Sequence, residues 1–307
     1  MIGAGGGLGR NVVDAAHKAK HRVVALVRDP ERADLPPEVD TIVGDATRID
    51  DLVRAMTGAD AAMFCVMPRF AAWLTEFPSL LECGIVAARR TDSRLVFPAN
   101  VWIFGPGRPG ERVSETRAPS PTSRRGRLRA EMEQRIREAG IRHAILRLPE
   151  FYGPRVLTLT ARIFRAALSG RSMLWPGPID LPVEFVFMPD AASALLAVGT
   201  ARDCDAGDFH LPGAETTVRQ FADVVLKAAG RRTRMIAVPR WLLSAGGAFH
   251  PTIRGVADIA HLWTDPILLE GAKYASRFGP PPVTPLADAV GMTMAWHRAH
   301  PDLRLQA

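Results

Sequence analysis

Hydrophobic positions fall into two alternating rhythms along the first half of the chain. Short apolar runs read as strands, and between them apolar residues recur every three or four positions, the helical period. His21–Arg28 and Val39–Asp45 are the first two such strands, followed by a helix over Ile49–Met56 whose Asp50 and Asp51 suit its positive end. Ala61–Val66 is apolar throughout, as expected for a strand of a parallel sheet covered on both faces. A helix over Leu80–Arg89 leads to a strand at Leu95–Phe97. Leu128, Met132 and Ile136 then mark a helix that stops at Gly140, and Ala144–Leu148 is the next strand. Strand and helix in strict alternation predict an α/β fold with a doubly wound parallel sheet and a ligand at the strand carboxyl ends.

After Tyr152 the rhythm loosens. The pattern predicts helices over Leu157–Leu168, Asp190–Val198, Val218–Ala229 and Leu286–Arg298, and short strands at Glu184–Phe187 and Asp208–Leu211. Proline-rich turns fall at Trp175–Pro182 and Gly279–Pro285. The division is therefore 1–153 for the sheet domain and 154–307 for a smaller C-terminal lobe that lends the sheet a late strand at about 208–211.

The alternation starts abnormally. Gly3-Ala4-Gly5-Gly6-Gly7-Leu8-Gly9 puts Gly3, Gly6 and Gly9 at a G-x-x-G-x-x-G spacing directly before a helical stretch. Such a strand-to-helix turn lets the backbone approach a pyrophosphate and points helix N-terminal N–H groups at it. With the strand that follows, it forms the first half of a dinucleotide-binding unit. At the end of that strand an acid would accept from the free 2′-OH of NAD, whereas arginine pairs with the 2′-phosphate of NADP. Val27 stands in the acid's place, Arg28 follows, and Arg10 is within reach of the same phosphate, so NADP(H) is favoured and NAD(H) stays open. Asp29 is the counter-candidate, with a turn before Pro30 as its other reading. The strand that should precede the loop needs about five or six residues, and only Met1 and Ile2 stand there. The expectation is a truncated first strand, with a natural start upstream.

Composition narrows the class. Hydrophobic residues make up 47% and charged residues 23%, as in ordinary globular proteins. The net charge of +7 would suit nucleic acid, but only Lys18, Lys20, Lys227 and Lys273 among the 39 basic residues are lysine, and the arginines are scattered apart from 117–137. No nucleic-acid partner is expected. Cys65, Cys83 and Cys204 lie far apart without a C-x-x-C, which implies a reducing compartment and no metal site. His297 and His300 read as a helix-end surface pair. No leader pattern appears and no uninterrupted apolar run reaches about 18 residues, so a cytoplasmic chain without membrane contact is expected.

Several blocks together resemble the extended and atypical branch of the short-chain dehydrogenase/reductase superfamily, the NAD(P)-dependent epimerase/dehydratase-like group of NAD(P)-binding Rossmann proteins. They are Gly3–Gly9, Ala25–Pro30, Gly44-Asp45-Ala46, Val101–Pro106, Arg147–Pro154 and Phe185–Asp190. The resemblance implies a cofactor cleft at Gly3, Gly6, Gly9 and Arg28, with Asp45 and Ala46 beside adenine, and a substrate pocket between sheet and lobe. It also implies a Tyr-x-x-x-Lys pair with an upstream Ser or Thr, the tyrosine exchanging the proton and the lysine lowering its pKa. The chain departs here. Of its two tyrosines, Tyr152 is followed four residues on by Val156 and Tyr274 by Phe278. In the matching segment Arg125 holds the tyrosine position, Arg129 the lysine position and Asn100 the serine position. Arginine stays protonated and cannot act as a general acid–base at neutral pH. Arg129 retains donors for ribose hydroxyls, Asn100 retains one for a substrate oxygen, and a positive pocket would support hydride transfer electrostatically. The alternative is that both arginines form an ordinary helix face paired with Glu131 and Glu133. Tyr152 stands by analogy at the cleft as a substitute phenol, or else packs; Glu150, two residues away, is read as a substrate-binding group or a helix cap.

Two classes of function follow. One is an NADPH-using oxidoreductase for a small organic carbonyl or related substrate, without the usual pair. The other is a non-catalytic NADP-binding regulatory protein. An epimerase or dehydratase is disfavoured by the missing base. The partners expected are a small-molecule substrate and, at most, a second copy of the chain in a homodimer.

Overall fold

The apolar runs do assemble into one parallel sheet. The computed structural model describes residues 1–202, 206–239, 241–243, 245 and 251–303. Cys204 lies outside the described residues. The sheet uses β1 (Val24–Val27), β2 (Asp40–Val43), β3 (Ala61–Met63) and β4 (Arg94–Asn100), together with β6 (His143–Leu148) and β10 (Ala206–His210). All pairings among them are parallel, in the sequence β10-β6-β4-β3 and β1-β2. Ile2 joins the two groups through parallel bridges to Leu26 and Phe64. Its N–H donates to the Met63 carbonyl, Cys65 N–H donates to the Ile2 carbonyl, and Leu26 N–H donates to that of Met1. A single bridged residue therefore does the pairing of the first strand. The Met1 ammonium is buried beside the Val24 carbonyl, and burial lowers its pKa to about 6.

Side-chain alternation explains the two covered faces. Leu95, Phe97 and Ile145 point into a core formed with α3 (Ile49–Met56), α4 (Trp73–Thr91) and α5 (Arg124–Glu138). Val96, Ala144, Leu146 and Leu148 point the other way, toward α1 (Gly7–Lys18) and α7 (Met188–Thr200). Successive strand residues face opposite sides, so an uninterrupted apolar strand feeds both cores. The α3 prediction coincides with the element. Helix α4 starts seven residues before its predicted start and carries Pro78 in its interior, because Trp73 and Phe77 bury there and offset the lost hydrogen bond. The segment Phe70–Thr91 is long and apolar enough to cross a membrane by length and composition, yet its apolar face packs on α3, α5 and the sheet.

The lobe has its own aromatic core. β7 (Glu150–Tyr152), β9 (Pro182–Phe187) and β11 (Ala214–Thr217) form a small sheet, and β8 (Met173–Trp175) pairs with β12 (Met235–Ala237). These pack with α6 (Leu159–Ser169), α8 (Val218–Ala229) and the helix Leu286–Ala299 around Phe164, Trp175, Phe185, Phe221 and Trp263. A Thr217–Gln220 capping box opens α8, and Gly230 in a left-handed conformation closes it, so the helix keeps its predicted bounds Val218–Ala229. A short pair, β5 (Arg112–Val113) with β13 (Leu268–Leu269), ties the two halves. The halves also exchange elements: β7 joins the lobe sheet, whereas α7 and β10, from beyond residue 154, complete the central one.

His297 departs from its predicted surface position. It is buried, stacked on Phe164, and burial lowers its pKa to about 4. Its helix turns that face onto the lobe core, and only His300 is exposed. Trp175 and Trp263 are core residues, whereas Trp241 is exposed. Among the described residues, no cluster of three or more His, Cys, Asp or Glu is placed to hold a metal ion.

Candidate functional site

The glycine turn is built by exclusion of side chains. Gly3 has φ +83°, and a Cβ there would lie 2.6 Å from the Val66 nitrogen. A Cβ on Gly9 would lie 2.1 Å from the Gly3 carbonyl oxygen. Gly6 donates its N–H to that same oxygen at 3.0 Å and then caps α1 with extended backbone. The first-turn N–H groups of α1 are left without intrahelical acceptors, next to exposed Gly5 and Gly6. The result is a bare backbone cradle with a positive helix end, which fits a pyrophosphate.

The side expected to face adenosine is polar and cationic. Arg28 is exposed just past the end of β1. Asp29 caps the short helix α2 (Pro30–Ala33), accepting from Arg32 N–H at 3.2 Å and pairing with the Arg32 guanidinium. Its carboxylate is thus engaged by its own turn. Asp45 accepts from the N–H and hydroxyl of Thr47. The Thr47 N–H is the main cause of its lowered pKa, with Arg28 a smaller one. Ala46 follows in the same turn, half-buried against the first core. Arg10 is directed elsewhere than Arg28: its Nε donates to Asp14 at 2.9 Å and its Nη1 lies 3.6 Å from Asp34.

The catalytic candidates do not converge. Asn100 ends β4, and its side-chain oxygen accepts from Trp102 N–H at 3.2 Å, capping the turn that follows. Arg125 lies 3.9 Å over the Phe70 ring and donates to the Phe70 carbonyl at 3.3 Å. Burial lowers its pKa, opposed by nearby Asp258. Arg129 is only 2% exposed. It donates to the Pro98 carbonyl at 2.7 Å and sits between Phe97 and Phe77, and burial pushes its pKa down to about 10. Tyr152 is 1% exposed in the lobe core, against Phe187 and Phe221, and burial raises its pKa. Arg129 and Tyr152 therefore belong to two different cores.

Beneath these groups, Glu133 of α5 pairs with Arg147 at 2.6 Å, and Arg147 also reaches Asp208 at 2.6 Å and the His210 ring at 3.1 Å. His210 is held neutral, its pKa lowered to about 4 by burial and by Arg147. Its other ring nitrogen meets the Val113 carbonyl. This buried cluster fastens α5 to β6 and β10.

Glu150 is the group that sequence reasoning left in the background. It stands two residues past Leu148, the partner of Asn100 in the sheet, at the carboxyl edge. It is half-buried, and desolvation raises its pKa to about 7 despite a hydrogen bond with Thr158. Its sequence signals were its place after the sixth strand and within the Arg147–Pro154 block.

A parallel sheet with a glycine cradle at its carboxyl edge defines a dinucleotide-binding α/β protein. An NAD(P)H-binding family model matches residues 3–154, and the model of the RmlD substrate binding domain matches residues 85–240. These two models place the chain in the NAD(P)-binding short-chain dehydrogenase/reductase superfamily that its sequence resembles. Among solved structures, the UDP-glucose 4-epimerase of Thermus thermophilus in complex with NAD is 19% identical, with a TM-score of 0.75 over 97% of this chain and 98% of that one. The Thermotoga maritima UDP-glucose 4-epimerase with UDP-glucose is 17% identical, with a TM-score of 0.78 over 98% of each chain. A dTDP-glucose 4,6-dehydratase double mutant from Streptomyces venezuelae with NAD bound is 18% identical, with a TM-score of 0.77 over 97% and 96%. At such identities these neighbours show the shared fold. No curated protein sequence matches the chain.

Proposed function

We propose that the chain is an NADP(H)-dependent oxidoreductase acting on a small organic carbonyl compound, as a cytoplasmic enzyme. The observation that carries this reading is the ribose end of the cradle: Arg28 is exposed there, while Asp29 is consumed as a helix cap. A 2′-phosphate gains a cation at that position, whereas the Asp29 carboxylate is already paired with the Arg32 guanidinium and the Arg32 N–H.

A nicotinamide dinucleotide held in the cradle would supply a hydride. The chain's own residues do the rest. Gly3, Gly6 and Gly9 would admit its pyrophosphate, and Asp45 and Ala46 would flank its adenine. Asn100 orients the substrate oxygen. Glu150 holds a proton near neutral pH at the carboxyl edge and delivers it to the carbonyl oxygen as hydride arrives, because desolvation stabilises its neutral form. Arg125 holds the substrate side together by bridging Phe70 and the segment around Asp258.

A second reading, a non-catalytic NADP-binding regulatory protein, is favoured by the engagement of Arg125 and Arg129 with the backbone carbonyls of Phe70 and Pro98. Sugar-nucleotide epimerisation, suggested by the neighbours' names, needs reversible proton removal; Arg125 and Arg129 cannot perform it, which leaves it to Glu150 alone.

Titration with NADPH and NADH, followed by tryptophan quenching, tests the cofactor. NADPH should bind at least about tenfold tighter, and Arg28→Asp should abolish that preference. Turnover of NADPH with a panel of small aldehydes and ketones separates the two readings. Cofactor binding without turnover on any carbonyl supports the regulatory one. Binding of neither dinucleotide overturns both.

A further inference from the structure

A polar bridge spans the glycine cradle. Arg155 adopts a left-handed backbone at φ +67°, unusual for a residue other than glycine. This conformation sets its carbonyl against Gly7, where a Cβ would come within 2.6 Å of the Arg155 oxygen. Asn11 holds the same turn, donating to the Gly7 carbonyl at 2.8 Å and to that of Pro154 at 3.5 Å. From this anchor the Arg155 guanidinium reaches Asp34 at 3.3 Å.

Asp34 stands on the opposite flank. It ends α2, and α2 touches the cradle where a Cβ on Gly5 would lie 3.6 Å from the Ala33 Cα. The ion pair therefore runs from the Gly5 flank to the Gly7 flank. Arg10, in the first turn of α1, brings a second guanidinium. Its Nη1 is 3.6 Å from the same Asp34 carboxyl oxygen, is buried, and has no hydrogen-bond partner. One carboxylate, itself 78% exposed, thus faces two guanidiniums whose side chains are 13% and 29% exposed.

The geometry points to Asp34 as a built-in competitor for the phosphate site: a pyrophosphate on the glycine segment takes the Arg10 and Arg155 guanidiniums, and Asp34 is released to water. The inference rests on the dinucleotide reading above. It adds to that reading a cation from beyond the sixth strand and an acid that opposes binding. The exchange is favoured for two reasons. An exposed carboxylate gains little from its ion pairs, whereas a phosphate offers more charge and several acceptor oxygens to the fixed forks of two arginines. The unpartnered Arg10 Nη1 gains a hydrogen bond that Asp34 does not give it.

The test is calorimetric titration of the full chain with inorganic pyrophosphate, and separately with NADPH, for wild type, Asp34→Asn, Arg155→Met and Arg155→Lys. Thermal melts check that each variant folds; asparagine tolerates the left-handed conformation at position 34. Asp34→Asn should bind pyrophosphate about tenfold tighter than wild type and Arg155→Met about tenfold weaker, with Arg155→Lys between wild type and Met. The ranking with NADPH should be the same. Pyrophosphate binding that is absent throughout, that is not tightened by Asp34→Asn, or that is not weakened by Arg155→Met overturns the proposal. The expected pyrophosphate ranking without any NADPH binding upholds it and overturns the cofactor reading instead. NADPH binding unchanged across the variants upholds the cofactor reading and overturns the competitor.

Discussion

The two ends of the cleft are specified in opposite ways. The cofactor end depends on what is missing: Gly3 and Gly9 sit where any Cβ would strike backbone. The expected catalytic end depends on functional groups, and α5 spends its groups on architecture. Arg125 is held by Phe70, Arg129 by Pro98, and Glu133 by Arg147. A backbone cradle has no substitute chemistry, so its spacing stays readable. A cation at the catalytic end is readily satisfied by carbonyls and aromatic rings, so a residue in the matching position need not face the substrate.

Removing a partner from the α5 anchor should have the largest effect. Arg147→Ala leaves Glu133 buried with its main partner gone, and unfolding in urea should show a loss of about 3 kcal/mol or more. A loss below about 1 kcal/mol would mean that α5 is not fastened by its charges, and the contrast between the two ends would weaken. Gly9→Ala tests the other end. Its Cβ meets the Gly3 carbonyl oxygen, which has no side-chain freedom to yield, so a cost of roughly 2–3 kcal/mol is expected together with loss of dinucleotide binding. Binding that survives unchanged would show that the turn is not the cradle.

A pH series sharpens the catalytic end. Glu150 titrates near 7 in the folded chain against an ordinary value of 4.5. Between these values the folded chain holds a proton that the unfolded chain has released, so native stability falls as pH rises from about 4.5 to about 7. Glu150→Gln removes this loss. Its stability relative to wild type should climb across that window and level off above it, by about 1–2 kcal/mol after solvent screening. A flat difference would place the carboxyl in water. The smallest effect is expected from Arg129→Leu, which exchanges a buried cation for an apolar side chain and should stay within about 1 kcal/mol of wild type. It should also leave NADPH affinity unchanged. A tenfold weaker affinity would instead return Arg129 to the ribose.

Much of the fold was legible because periodicity is local. The strands of the central sheet, α3 and α8 follow from apolar runs and helical spacing within a few residues of each element. The short strands β5, β7, β8, β11, β12 and β13 were not predicted as such. Each is two to four residues long, and its existence is decided by a partner strand brought in from elsewhere in the chain. The early start of α4 escaped for the same reason: burial of Trp73 and Phe77 outweighs a local proline.

By itself the sequence determined the alternating α/β order, the glycine cradle and the cationic Arg28 at the end of the predicted strand His21–Arg28. These follow from steric exclusion, backbone hydrogen bonding and the two side-chain periods, which act over a few residues. Only the tertiary structure decided that Arg129 and Tyr152 sink into separate cores, that Glu150 is desolvated, and that Asp34, Arg10 and Arg155 meet over the cradle. Those outcomes depend on which surfaces pack together, and a charged side chain takes its role from the neighbours that desolvate or pair with it.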